Sequence, residues 1–226
     1  MGQKVHPHGF RLGIIRDWQA RWYAEKSYTQ FLLEDLKLRK FIAENCSDGA
    51  IARIEIERPG DEVSITLYSA RPGILIGRGG QNVEALKSEL EKLVGRKVRL
   101  TIREVEHPEL EAVLVARNIA ERIEERVPFR RAMKQAAFRT LQAGAKGIKI
   151  TCSGRLGGAE IARSETLHQG QMPLHKIRAD IDYGFAEAHT IMGRIGIKVW
   201  IYKGDVIPEI KEASATTEAS EVPQSA

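Results

Sequence analysis

The sequence is poor in cysteine and has no long hydrophobic run. Cys46 and Cys152 are its only cysteines, and neither belongs to a CxxC pair or a disulfide framework. We therefore expect two small buried thiols in a reducing compartment, the cytoplasm. No stretch approaches the roughly 18 consecutive apolar residues of a membrane span. These absences exclude a disulfide-stabilised secreted scaffold and predict a protein with no membrane partner.

Motifs for nucleotide binding and catalysis are also missing. Arg78 stands five residues after Gly73, where a Walker loop needs glycine. Asn82 stands three residues after Gly79, where a dinucleotide fingerprint needs glycine. The six histidines show no metal-ligand spacing, and Gly-x-Ser-x-Gly is absent. The sequence therefore predicts no metal, no cofactor and no catalytic residue.

Acidic residues are scarce in one part of the chain. The 226 residues carry a net charge of +5, but residues 126–163 hold nine basic side chains against the single acid Glu160. Residues 41–125 have a net charge of −4 and residues 126–203 one of +9. A nearly pure basic stretch with apolar residues between its charges is typical of a folded surface that binds phosphates.

Hydrophobic periodicity predicts a mixed α+β fold in two parts. Residues 28–106 read as helix, strand, strand, short helix, glycine loop, helix and strand. Ser27 and Gln30 form a capping-box pattern at the first helix, whose predicted inward residues are Phe31, Leu32, Leu36, Leu38, Phe41 and Ile42. Later helices are predicted from 109 to about 126 and from Pro128, the second with inward residues Ala132, Met133, Ala136, Ala137, Phe138 and Leu141. Four strands follow at 147–153, 160–172, 177–188 and 195–203.

These patterns predict four segments. Residues 1–26 form a basic arm whose Trp18 and Trp22 indicate that it docks on something. Residues 27–107 and 108–207 form two α+β domains, the second with an antiparallel sheet. Residues 208–226 are predicted to be a disordered acidic tail.

The glycine loop is the most informative motif. Gly77 and Gly80 satisfy a GxxG clamp between two helices, with Arg78 and Gly79 between them. Such a loop offers backbone N–H groups and a helix N-terminus to a phosphate. We expect Arg78 at an exposed tip. Because residues 41–125 are net acidic, we expect the arm and residues 126–163 to supply most of the electrostatic attraction for RNA.

Long stretches of the sequence resemble a known family. Residues 27–107 resemble a KH domain of the second type (αββααβ), and the chain as far as about residue 207 is similar to bacterial small-subunit ribosomal protein three. The resemblance is carried by MGQKVHP and GFRLGI in the arm, RPGILIGRGGQNVEALK at 71–87, RRAMKQA at 130–136, GQMPLHKIRADIDYG at 170–184 and IGIKVWIYKGD at 195–205.

That resemblance implies a non-enzymatic protein of the small-subunit head. It implies contacts with 16S rRNA and with ribosomal proteins ten and fourteen, and a role in holding mRNA where it enters the subunit. The residues that match the mRNA-facing cluster are Arg130, Arg131 and Lys134. Arg130 and Lys134 are four apart and share a helix face.

Other cations are predicted to contact rRNA, and two other functions stay open. The predicted contacts are Lys4, Arg11, Arg16, Lys146, Lys149, Arg155 and Arg163. Trp200 and Tyr202 are predicted to pack in the fold rather than to stack on bases. The chain is not expected to form homo-oligomers. The alternatives are an enzyme acting on nucleic acid, such as a nuclease, and a free KH regulator of mRNA.

Overall fold

The computed structural model of the chain describes residues 3–60 and 62–206. Its helices within those ranges are α1 Pro7–Arg11, α2 Tyr28–Asn45, α3 Pro72–Ile76, α4 Gln81–Val94, α5 Ala112–Glu124 and α6 Phe129–Gln142. Its strands there are β1 Ala20–Arg21, β2 Ile51–Glu57, β3 Val63–Ser69, β4 Val98–Glu104, β5 Gly147–Gly154, β6 Arg163–Gly170, β7 Ala179–Thr190 and β8 Gly193–Asp205. The predicted α+β class is confirmed.

The first sheet has the order β1-β2-β3-β4. β2 and β3 form the predicted antiparallel hairpin, and β4 pairs parallel to β3. The helices bury their apolar residues on one face of this sheet, with Leu38 and Ile42 from α2 and Leu90 from α4 against Ile65 and Leu67. The element order α2, β2, β3, α3, α4, β4 is the one that the sequence predicts.

The second sheet is antiparallel throughout, in the order β6-β5-β8-β7. α5 and α6 cover one face, where Ile150 and Cys152 meet Val199 and Ile119. α5 lies so close to β7 that a Cβ atom on Gly184 would come within 2.3 Å of the backbone of Ala112. Glycine at this position therefore permits the close approach of α5 to the sheet.

The N-terminal arm docks on both halves of the chain. β1 pairs parallel to β2, with Ala20 opposite Ile56. α1 packs on β7, where Asp182 accepts a hydrogen bond from the backbone N–H of Ala112 at 2.6 Å and lies 3.0 Å from His8 Nε2. Arg16 pairs with the same carboxylate at 3.0 Å. The prediction that the arm docks is confirmed, and its partner is the rest of this chain.

Two helix faces differ from the sequence expectation. On α2 the inward positions are Asp35, Leu38 and Ile42, and the predicted core residues Leu32 and Leu36 are exposed. Asp35 takes an inward position because the indole N–H of Trp22 and the guanidinium of Arg58 both donate to its carboxylate. The Ser27 side chain makes no capping hydrogen bond. On α6, Phe138 is 66% exposed rather than inward.

Several smaller predictions have clear outcomes. Cys46 and Cys152 are free, buried thiols, as predicted. Burial raises the pKa of Cys152 to about 12. Residues 108–110 form a 3₁₀ turn, so the predicted helix at 109 begins at Ala112. None of the described helices has the length and apolar character needed to cross a membrane. The predicted acidic tail lies outside the described residues.

Candidate nucleic-acid interface

The glycine loop between α3 and α4 depends on backbone shapes that favour glycine. Gly77, Gly79 and Gly80 have φ angles of 71°, 64° and 83°. At Gly77 a Cβ atom would also lie 2.6 Å from the side chain of Asn82, which donates to the carbonyl of Ile74. Nothing lies within 4 Å of a Cβ atom at Gly79 or Gly80. At those two positions, therefore, the φ angle rather than crowding favours glycine.

The surface of this loop is suited to a nucleic-acid strand. Arg78 is exposed at the tip, as predicted, and no described acidic side chain forms an ion pair with it. The N–H of Gln81, the first residue of α4, donates to the carbonyl of Arg78, and the N–H groups directly after it belong to a helix N-terminus. Ile74 and Ile76 are 48% and 41% exposed beside the loop. The loop thus presents N–H donors and one cation to a phosphate, and apolar area to a base.

The exposed face of α6 carries the predicted basic cluster. Arg130, Arg131 and Lys134 are exposed, whereas Ala132 and Met133 are buried. Pro128 accepts the first helical hydrogen bonds of α6, so the three cations occupy its first two turns. Phe138 lies four residues beyond Lys134, on the same side of the helix, and adds an exposed aromatic ring. The sequence does not reveal Phe138 as a surface residue, because an apolar residue at helical spacing predicts burial.

An acidic residue on a neighbouring strand pairs with this cluster. Both carboxylate oxygens of Glu165 on β6 accept hydrogen bonds from Arg130 at 2.9 Å, and Arg163 lies 3.5 Å away. The hydrogen bond from Arg130 lowers the pKa of Glu165. Glu165 therefore holds Arg130 and Arg163 together and competes with phosphate for Arg130. Arg130 and Glu165 are 35 positions apart in the sequence, so no local pattern signals this pair.

One open groove joins the two regions. Ile74 of α3 and Arg139 of α6 both line it, and its volume is about 790 Å³. Its described lining also includes acidic residues, Asp48, Glu109 and Glu121, together with the cations Arg71 and Arg117. The groove is therefore of mixed charge, and it connects the side of the glycine loop with the helix that carries the basic cluster.

Arg11 and Arg16 of the arm make their contacts within the protein. Arg11 is fully buried, and its guanidinium donates to the carbonyls of Pro7, Leu174, Lys176 and Ala179 at 2.6–3.1 Å. The prediction that Arg11 contacts rRNA is therefore corrected, because its donors are occupied and water cannot reach it. Burial lowers the pKa of this guanidinium. Arg16 is paired with Asp180 and Asp182 and is also a structural contact here.

The other predicted rRNA contacts fall into two groups. Lys4, Lys146 and Arg163 are exposed, and Lys149 is half-buried. Arg155 is half-buried and donates to the carbonyls of Ala159 and Met192, so it stabilises its own turn. Tyr202 is buried, and Trp200 packs against its cluster, as predicted.

Comparisons with known proteins match both halves of the chain. Residues 37–110 match the KH domain family, and residues 119–201 match the family described as the C-terminal domain of ribosomal protein S3. The chain is 60% identical over 215 residues to small ribosomal subunit protein uS3 of Dehalococcoides mccartyi, covering 95% of this chain and 77% of the relative. It is 56% identical over 222 residues to the uS3 protein of Carboxydothermus hydrogenoformans, covering 98% and 100%.

A KH domain followed by a ribosomal α+β domain defines an RNA-binding protein of the small ribosomal subunit. The chain belongs to the family of small ribosomal subunit protein uS3. It is therefore a structural component of the ribosome, and members of this family are not enzymes. This finding removes the nuclease alternative.

Proposed function

We propose that this chain binds 16S rRNA in the head of the small subunit and helps to bind and position mRNA where it enters. The observation that carries the mRNA part is the face of α6. Arg130, Arg131, Lys134 and Phe138 are exposed there along two and a half turns of one helix. Such a face can hold phosphates and stack on an unpaired base.

The glycine loop supports a second contact with RNA. Its N–H groups and Arg78 suit a phosphate, and exposed Ile74 lies on the groove that leads to α6. We propose that the loop and α6 bind one RNA surface together, whether rRNA or mRNA. The sequence-predicted cations that remain exposed, Lys4, Lys146 and Arg163, and the half-buried Lys149, would contact rRNA.

The proposed protein neighbours are ribosomal proteins ten and fourteen, with one copy of this chain in each subunit. Leu32, Leu33 and Leu36 give α2 an exposed apolar face, with exposed fractions of 40%, 52% and 56%. An apolar face of this kind is suited to a protein neighbour rather than to RNA.

The test compares ribosomes that carry a variant chain without the α6 cations with ribosomes that carry the wild-type chain. Arg130→Ala, Arg131→Ala and Lys134→Ala together should leave assembly intact, since exposed substitutions usually change stability by less than about 0.5 kcal/mol. Elongation through a message with a stable hairpin should slow more than elongation through an unstructured message. The matched control is Lys37→Ala, Lys40→Ala and Lys92→Ala, which removes three exposed cations from α2 and α4.

Two outcomes would contradict the mRNA role. Equal slowing on both messages would mean that the cluster does not act on structured mRNA. Failure of the mutant chain to enter the subunit, while the control chain enters normally, would assign the cluster to rRNA binding.

A further inference from the structure

The open face of the second sheet carries a row of basic and aromatic side chains. Lys149 on β5 lies opposite His168 on β6 and opposite Trp200 on β8, and Trp200 lies opposite Tyr183 on β7. Residues paired across a sheet point to the same face. This row therefore crosses all four strands on the side away from α5 and α6.

The arm turns this face into a groove of about 900 Å³. Lys4, His6 and Phe10 of the arm line one side, and Lys149, Lys198 and Trp200 of the sheet line the other. No aspartate or glutamate in the described part of the chain lines the groove. This contrasts with the groove beside α6, where three acids lie among the cations.

Two lysines lie next to each other in this groove. The ammonium group of Lys4 is near that of Lys149, and burial together with this like charge lowers the pKa of Lys149. Lys149 Nζ lies 5.3 Å from the centre of the Trp200 ring. Two neighbouring ammonium groups without a carboxylate repel each other, so an anion placed between them would be bound favourably.

We propose that this groove binds an unpaired RNA strand, with a base on the exposed part of Trp200 and phosphates held by Lys4, Lys149 and Lys198. The inference rests on the rRNA-binding part of the proposed function and does not depend on the mRNA part. It gives Trp200 a second role beside packing.

The chemistry favours single-stranded RNA over a duplex. A ring that lies in a sheet surface can stack on a base only if that base is unpaired and turned outward. Several cations around one aromatic ring match the alternation of base and phosphate along a strand. Lys198 is exposed two residues before Trp200 on β8, opposite Thr151 of β5. It can therefore bind a second phosphate of the strand.

The test uses the full chain with the proposed contacts of the glycine loop and of α6 removed. Arg78→Ala, Arg130→Ala, Arg131→Ala and Lys134→Ala form this background, and the probe is a labelled eight-nucleotide oligouridylate followed by anisotropy. We expect residual binding in the background. Lys4→Gln with Lys149→Gln should weaken it by about tenfold and reduce the log–log salt slope by about 1.4, at roughly 0.7 per phosphate contact. Lys40→Gln with Lys92→Gln, two exposed lysines elsewhere, is the control.

Trp200 is tested separately because its ring also packs. Trp200→Leu should weaken binding by about tenfold, the size of one base–aromatic stack, whereas Trp200→Phe should retain most of it. Ultraviolet crosslinking of the oligouridylate should label the peptide that contains Trp200. If the Trp200→Leu variant unfolds, the affinity of the lysine-pair variant and the crosslinked peptide still test the proposal.

Three results would overturn the proposal. One is a lysine-pair variant that binds like its control. Another is a background chain without residual binding, which would leave the α6 proposal untouched. The third is an acidic peptide of residues 209–226 that occupies the groove more tightly than the RNA, which would assign the groove to a protein segment.

Discussion

The glycine loop and the face of α6 offer phosphate two different kinds of binding group. The loop uses backbone N–H groups, held by three glycines with positive φ, and one exposed cation in a region of net charge −4. The α6 face uses side-chain cations in a region of net charge +9. Backbone donors act at hydrogen-bond distance and depend on shape, whereas clustered cations act over a Debye length and depend on salt.

Both surfaces share one support, the N-terminal arm. β1 extends the first sheet, while His8 and Arg16 meet Asp182 on the second. Basic residues in the arm therefore hold together the two parts of the chain that carry the proposed RNA-binding surfaces. We expect that breaking this support affects both surfaces, whereas changing one surface affects only that surface.

The largest expected effect comes from breaking the shared support. Asp182 is buried, accepts the N–H of Ala112, and contacts His8 and Arg16 through its carboxylate. Asp182→Asn should lower the free energy of unfolding by about 3 kcal/mol, because it removes the charge that compensates Arg16. Urea unfolding followed by circular dichroism measures this. A loss below about 0.5 kcal/mol would mean that the arm is held by other contacts.

The pH dependence of stability provides a check on the same residue. Burial alone would raise the pKa of Asp182, but the contact with His8 and the charge of Arg16 bring it to about 2, below its ordinary value of 3.8. A carboxylate with a lowered pKa contributes stability above its unfolded pKa. That contribution, about 2 kcal/mol at 1.36 kcal/mol for each unit, is lost as the pH falls from about 4 to 2. Asp182→Asn should lack this part of the acid transition.

The second largest effect is expected at the glycine loop. Arg78→Asp with Gly79→Asp should reduce RNA binding through the loop by more than about tenfold, because two carboxylates would face the phosphate. The fold should remain, since Arg78 is exposed, nothing crowds Gly79, and aspartate is among the residues that tolerate the left-handed φ of 64° there. Ser88→Asp with Lys92→Asp, both exposed on α4, makes the same change in charge away from the loop. Unchanged affinity of the loop variant with a native circular dichroism spectrum would refute the GxxG assignment.

Salt dependence distinguishes the two modes of binding. Arg131→Ala with Lys134→Ala should reduce the log–log salt slope for single-stranded RNA by about 1.4, whereas Arg78→Ala should reduce it by no more than about 0.7. Titrations at several salt concentrations measure both slopes. Equal reductions of the salt slope would mean that the glycine loop and the α6 face do not differ in how they bind RNA.

The smallest effect is expected at Glu165. Glu165→Gln should strengthen RNA binding by about twofold, because Arg130 would no longer be held by a carboxylate and exposed ion pairs are worth less than about 1 kcal/mol. Its matched control is Glu187→Gln, which releases exposed Arg194 on the same sheet. Weaker binding of Glu165→Gln would mean that Glu165 positions Arg130 for RNA rather than competing for it.

The sequence by itself determined the order of elements, the loop and the basic helix face. Alternation in β2 and β3 and the apolar spacing of α4 are local patterns, so they could be read directly. The GxxG spacing and the cations after Pro128 are local as well. The resemblance in motifs such as RPGILIGRGGQNVEALK added the family, which the comparisons confirm.

Only the tertiary structure decided which side chains meet across distant segments. In the sequence Arg11 cannot be distinguished from the other cations of the arm, but in the structure it donates to four backbone carbonyls. Glu165 pairs with Arg130 because β6 lies beside α6. Asp35 lies on the buried face of α2 because Trp22 and Arg58 donate hydrogen bonds to its carboxylate, and the neighbouring leucines are exposed to solvent. Apolar periodicity cannot reveal such positions, because a buried polar group is stabilised by partners from elsewhere in the chain.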